Sequence, residues 1–296
     1  MVHPPLVDTH VHVWDLTGGP FGVRYPWLTS GPLHRTHTLA EVEPAMRDLG
    51  VDAIVLVQAS DSLAETDELL RVATHAPLPA TVVGWLPLAD AHRTAAELEQ
   101  RPDPRLVGVR HLIHDEPDRG WMLRPDVAAG MAVLERNGLA FDAVAERPDL
   151  VDQVPAIARR HPDLTIVLDH LGKPPVAAGW DSDGARLWAR QLREVAASPG
   201  VVAKVSGLNT VSGPAWTPAQ WRPFVDHALE CFGSRRLMLG SDWPVCTLDG
   251  DYAGVMGGLL GLVAELSADE QVDLRGATAR RVYAGRRGTW SSGPVT

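Results

Sequence analysis

The order of apolar and polar positions repeats one unit along the chain. A short run rich in Val, Ile and Leu comes first, and a stretch with helical spacing follows. Eight runs carry the pattern: PLVDTHVHV (5–13), VDAIVLVQ (51–58), ATVVGWLPL (80–88), RLVGVRHLI (105–113), LAFDAVA (139–145), LTIVLDHL (164–171), VVAKVSG (201–207) and RLMLGSDW (236–243). Runs that are apolar on both faces and alternate with helices predict a parallel sheet covered on both sides. The clearest helical stretches are TLAEVEPAMRDLG (38–50) and DVAAGMAVLERNGL (126–139), each with a glycine at a plausible C-cap, Gly50 and Gly138.

The count of eight sets the fold class. A doubly wound sheet usually has fewer strands, whereas eight βα units close into a (β/α)8 TIM barrel of roughly 250 residues. The 296 residues fit one such barrel with extensions, a single domain over 1–296. No linker, low-complexity segment or charge block divides it. The end GRRGTWSSGPVT (285–296) reads as a loose tail. Pro and Gly cluster at 17–32, 172–184 and 207–218, after strands 1, 6 and 7. Barrel enzymes build their sites from those loops.

Composition narrows the partners. The formal net charge is -10, so a broad nucleic-acid surface and an anionic membrane are both disfavoured for want of a basic stripe. A small anionic substrate would need local arginines to overcome the overall field. Two cysteines, Cys231 and Cys246, make no disulfide framework and fit a reducing compartment. The N-terminus lacks a basic segment followed by an apolar one, and the longest apolar stretch (252–266) falls short of the ~20 residues of a membrane span. A cytoplasmic protein is expected, with a small-molecule substrate. Self-association into a homo-oligomer is left open.

Polar residues gather at the C-terminal ends of the runs. The first brings His10 and His12, and a two-residue period points both, with Asp8, to one face. The fourth brings Arg110, His111 and His114, the sixth Asp169 and His170, the seventh Lys204 and Ser206, and the eighth Ser241 and Asp242. In a barrel, His10, His12, His170 and Asp242 would converge at the mouth. Neutral imidazoles with a carboxylate are the ligand set of Zn and similar divalent ions. The same set without metal can hold and activate a water. A histidine pair on a strand, or GSD after one, means little alone. Four such groups at one end of three strands mean more, because buried Asp and His cost free energy unless partnered. An inward Arg110 would bind a substrate oxygen with its rigid fork. His111 alternates with it, so both face the axis only if the strand has ended. Lys204 could serve the site or snorkel outward. Trp14, Trp27, Trp121, Trp216 and Trp243 lie on or near the loops expected at the mouth of the barrel, where aromatic faces suit sugar rings.

The motifs DTHVHVWD, GVRHLIHDEPD, VLDHLGKP, KVSGL and LGSDWPV together resemble the amidohydrolase superfamily. More narrowly, they are similar to the metal-dependent-hydrolase branch that includes L-fuconolactonase, L-rhamnonolactonase and the dicarboxylate-pyrone lactonases. The likeness runs from about residue 6 to about residue 284. It implies that His10, His12, His170 and Asp242 are the metal or catalytic positions. It also implies hydrolysis of a cyclic ester in carbohydrate metabolism. Strand 5 departs from many amidohydrolases, because LAFDAVA offers only Asp142 where a ligating His or Lys is common. A binuclear site is therefore not expected. One divalent ion, Zn foremost, or metal-free chemistry are the two options. The expected reaction opens a sugar lactone of L-fucono-, L-rhamnono- or D-galactono- type to the aldonic acid. Asp242 activates the water, and Arg110, His111, Trp27 and Trp243 hold the substrate. An aromatic dicarboxylate lactone hydrolase and a metal-dependent decarboxylase are the alternatives.

Overall fold

A computed structural model of the chain describes residues 4–284. The tail expected to be loose, 285–296, lies outside them. Every apolar run contains a strand: β1 (Leu6–Val11), β2 (Val51–Val57), β3 (Ala80–Gly84), β4 (Leu106–His111), β5 (Ala140–Ala143), β6 (Ile166–Leu168), β7 (Val201–Val205) and β8 (Leu237–Leu239). They pair in parallel in the order β1 to β8. Beyond the last strand, Asp242 N donates to His10 O (2.9 Å) and His12 N to Trp243 O (2.7 Å), which joins the β8 end back to β1. The eight strands form the expected (β/α)8 TIM barrel.

Helices surround it: α1 (Leu39–Asp48), α2 (Leu63–Thr74), α3 (Ala91–Gln100), α4 (Pro125–Arg136), α5 (Pro148–Val151), α6 (Val154–Arg160), α7 (Asp183–Ala196), α8 (Pro218–Phe232) and α9 (Tyr252–Val263). Thr38 and Glu41 form a capping box on α1, and Ser62 and Asp90 cap α2 and α3 through N3 backbone N–H groups. Helices α1 and α4 stop two residues before Gly50 and Gly138, whose φ angles of 69° and 64° end the helical path. No helix among the described residues is long and apolar enough to cross a membrane.

Alternation divides the core into two layers. Val7, Val55, Val57, Val83, Val167, Val202 and Met238 fill the barrel, while Leu6, Ile54, Leu56, Val109 and Leu168 meet the helices. Tyr283, from the segment after β8, is buried with the inner set. Toward the strand ends the inward positions turn polar: Lys204 comes two after Val202, and Asp142 two after Ala140.

Strand β1 breaks the expected alternation. Its register against β2 slips between Asp8 and Val11, so three steps on β1 oppose two on β2. Such a bulge turns the following side chain to the other face. Asp8 therefore does not share the face of His10 and His12. Its carboxylate accepts from Ser241 N (2.8 Å), His10 N (3.2 Å) and the Tyr252 hydroxyl of α9 (3.0 Å). Asp8 pins the strand from outside the site, and burial raises its pKa to about 6.

Candidate active site

The bulge sends His10 inward, and Val11 spaces His12 onto the same side. His10 Nε2 and His12 Nε2 lie 3.1 Å apart. Asp242 Oδ1 is 3.6 Å from His12 Nε2 and 3.8 Å from His10 Nε2. Asp242 reaches them from a left-handed residue, φ 60°, just after β8. His170 arrives in the same way. Val167 faces inward, so alternation alone would turn Asp169 in and His170 out. The left-handed conformation of His170, φ 54°, brings both to the mouth. Its Nδ1 is 2.9 Å from Ser206 Oγ, and its ring centroid is 4.5 Å from that of His10. Gly207, φ +62°, packs against this pair: a Cβ there would sit 2.8 Å from His170 Nδ1 and 3.0 Å from Asp242 Oδ2.

Beneath lies a buried charge cluster. Lys204 points inward, resolving its ambiguity. Its Nζ contacts Asp142 Oδ2 (2.6 Å), Asp169 Oδ1 (3.2 Å) and His10 Nδ1 (3.3 Å). The Tyr283 hydroxyl donates to Asp142 Oδ2 at 2.7 Å. Arg110 also faces inward. Its Nη2 donates to the Gln58 carbonyl, and Nη1 lies 3.5 Å from Asp169 Oδ2. Asp169 is thus the ion-pair partner of Arg110. Arg110 Nε is buried and makes no hydrogen bond.

Burial sets the charge states. It lowers the pKa of His12, takes that of His170 down to about 4, and, with Lys204 beside it, holds His10 well below the usual imidazole value. Burial alone would raise Asp242, but His170, the His12 hydrogen bond, His10 and Lys173 hold it below the carboxylate range. Three neutral imidazoles face one ionised carboxylate at neutral pH.

Above the cluster opens a cavity of about 570 Å³, counting its mouth. His12, His170, Asp242 and Arg110 line its floor, and Trp14, Trp27, Leu112, His114, Glu146 and Lys173 its walls. Trp27 is fixed by a 2.6 Å bond from Nε1 to Ala59 O. Two expected substrate residues do not line it. The His111 ring stacks on Trp121 (centroids 4.0 Å apart) and is held by Trp85 Nε1 (2.9 Å) and Glu116 (2.7 Å). Once Arg110 points in, alternation forces His111 out. Trp243 is buried against His37, at 5.6 Å between centroids. Trp216 stacks on Trp221 instead. The sequence pattern marks Asp169 only as a polar strand-end residue, and Lys173 and Glu146 not at all; that Asp169 follows the inward Val167 by two is the signal for its place in the site.

The donors fit a divalent ion in part. His10, His12 and Asp242 offer two nitrogens and an oxygen within 3.8 Å of one another, as ligands of one ion would be. His170 does not join that triad. It groups with His10 and Asp169, where the Lys204 ammonium already stands. The expected four-residue set is thus divided in two around His10.

Comparison with known proteins places this barrel. The amidohydrolase family model matches residues 7–285, and the chain belongs to that family. It is 37% identical to an L-fucono-1,5-lactonase of Burkholderia multivorans over 94% of this chain and 95% of the other. A crystal structure of an amidohydrolase from the same organism with bound zinc superposes with a TM-score of 0.84 at 34% identity, covering 95% of this chain and 99% of that one. A 2-pyrone-4,6-dicarboxylate hydrolase of Comamonas testosteroni is 28% identical over 80% of this chain and 76% of its own.

Proposed function

We propose that this protein hydrolyses a neutral sugar 1,5-lactone of the L-fucono type, the L-rhamnono and D-galactono forms being close variants, to the aldonic acid. The observation that carries this reading is the Asp242 carboxylate set 3.6 Å from His12 and beside His170 on the floor of a cavity walled by Trp14 and Trp27. The carboxylate takes a proton from a water, whose oxygen adds to the lactone carbonyl. Arg110, which lines the cavity floor, donates from its guanidinium to the carbonyl oxygen as charge develops there. The ring C–O bond then breaks, and protonated Asp242 returns the proton to the leaving alkoxide. His170, fixed by Ser206, bounds the water position. If a divalent ion is bound, zinc foremost, His10, His12 and Asp242 would hold it, and it would polarise the carbonyl as a Lewis acid. Trp27 offers an apolar face for the sugar ring.

A dicarboxylate substrate suits the cavity less. Arg110 is paired with Asp169, and Lys173 stands 3.7 Å from Glu146. Arg24 lines only an adjoining recess, and Arg119 faces Asp149 on the surface. The test is a substrate panel read with a pH indicator, with and without chelator. Turnover of L-fucono-1,5-lactone well above that of 2-pyrone-4,6-dicarboxylate is expected. A preference for the dicarboxylate, or CO₂ release from an aromatic acid without lactone turnover, would replace this reading.

A further inference from the structure

His10 is hemmed in by groups whose donor or acceptor roles are fixed. Its Nδ1 lies 3.3 Å from Lys204 Nζ and 3.4 Å from Asp169 Oδ1. Its Nε2 lies 3.1 Å from His12 Nε2 and 3.4 Å from Arg110 Nη1. An ammonium only donates. His12 Nδ1 is 2.8 Å from the Val57 carbonyl, which only accepts, so His12 keeps its hydrogen on Nδ1 and presents a bare lone pair at Nε2.

Two tautomers of neutral His10 compete. With the hydrogen on Nε2, the ring accepts from Lys204 and donates to His12 across 3.1 Å, the shortest of these contacts. With it on Nδ1, two lone pairs confront each other across that same gap. The hydrogen would then go to Asp169 Oδ1 at 3.4 Å, a longer contact than the 3.1 Å to His12 that the other tautomer uses. Arg110 would gain an acceptor at 3.4 Å, but its fork already serves Asp169 and the Gln58 carbonyl.

The geometry points to Lys204 as a positioning residue: its ammonium keeps the His10 hydrogen on Nε2, so that Lys204, His10, His12 and the Val57 carbonyl form one directed chain. The lysine cannot swing away. It is wholly buried, paired with Asp142 and Asp169, and packed 5.5 Å from the centre of the Tyr283 ring.

This arrangement bears on the metal. A ligating imidazole ordinarily donates its far N–H to a carboxylate or carbonyl, but here the group nearest that nitrogen is a cation, at 3.3 Å, with the Asp169 carboxylate at 3.4 Å. Binding an ion at His10 Nε2 requires that the hydrogen leave this nitrogen, against Lys204. Lys204 therefore lowers the affinity of the His10–His12–Asp242 triad for divalent ions. The inference does not depend on which substrate the enzyme opens.

The experiment is zinc affinity, measured by competition with a chromophoric chelator. Lys204→Met should bind Zn²⁺ about 10- to 100-fold tighter than wild type, the change that loss of a charge-assisted hydrogen bond converts to. Lys204→Met with Asp142→Asn removes one cation and one anion together, and gives the same result should the single variant not fold. Tyr283→Phe loses the bond to Asp142 without touching His10, and a change beyond about twofold is not expected from so indirect a contact. In histidine-labelled wild type, long-range ¹H–¹⁵N spectra should show His10 as the Nε2–H tautomer. An Nδ1–H signature, or folded Lys204 variants whose zinc affinity is unchanged or weaker, would overturn the proposal.

Discussion

At the scale of single residues, burial decides the pH behaviour. Imidazoles exposed to water titrate near 6.5, but here desolvation lowers all three site histidines, His170 to about 4. A lowered value means that the neutral ring survives as pH falls, and protonation comes only on approaching that lower value. Asp242, held below the carboxylate range, stays ionised over the same interval. After subtraction of spontaneous lactone hydrolysis, kcat/KM should be flat from pH 8 down to about 5.5, with its acid loss nearer the His170 value. A limb centred near 6.5 would show that an exposed histidine, not this buried set, governs the rate. Identity was legible at this scale where chemistry is scarce: His10, His12, His170, Asp242 and Arg110 are polar residues at the ends of apolar strands, and the fold gathers them. Orientation was less legible. His170 and Asp242 face the site through left-handed backbone that alternation cannot foresee, and His111 was lost to the far face by alternation that it can.

At the scale of elements, each strand end is a device for aiming side chains. The β1 bulge separates Asp8, which ties β1 to α9 and Ser241, from His10 and His12, which serve the cavity. No pattern of apolar and polar letters announces a bulge, because DTHVHV alternates evenly whether or not one residue is extra. The β7 end is aimed by absence: Gly207 leaves room that any side chain would take from His170 and Asp242. Gly207→Ala meets both a left-handed φ and two close atoms. It should cost about 1 kcal/mol or more of stability and lower kcat at least tenfold while the far-ultraviolet spectrum is kept. Unchanged kcat would mean that the two side chains are not held where their contacts put them. The strands themselves were readable because both faces are covered, which makes each run apolar throughout. Their ends were not. The runs continue as buried loop past the last ladder bond, as Leu86 and Leu88 do beyond β3.

At the scale of the whole molecule, closure of the barrel places groups more than 230 residues apart in contact, and it does so through backbone bonds from the segments that carry the candidate site, Asp242 N to His10 O and His12 N to Trp243 O. Packing and site are thus one construction. The net charge of -10 also acts at this scale. A field of that sign neither draws in nor repels a neutral lactone, so kcat/KM for L-fucono-1,5-lactone should change less than about twofold between low and 0.5 M salt, whereas a dianionic substrate would speed up as salt screens the repulsion. The most direct measurement is turnover of L-fucono-1,5-lactone by Asp242→Asn beside wild type, with folding checked by thermal unfolding. The substitution keeps the shape and removes the base, so kcat should fall at least about a hundredfold with the fold intact. Turnover near the wild-type rate in a folded Asp242→Asn protein would contradict the account, because the water would then be activated somewhere else.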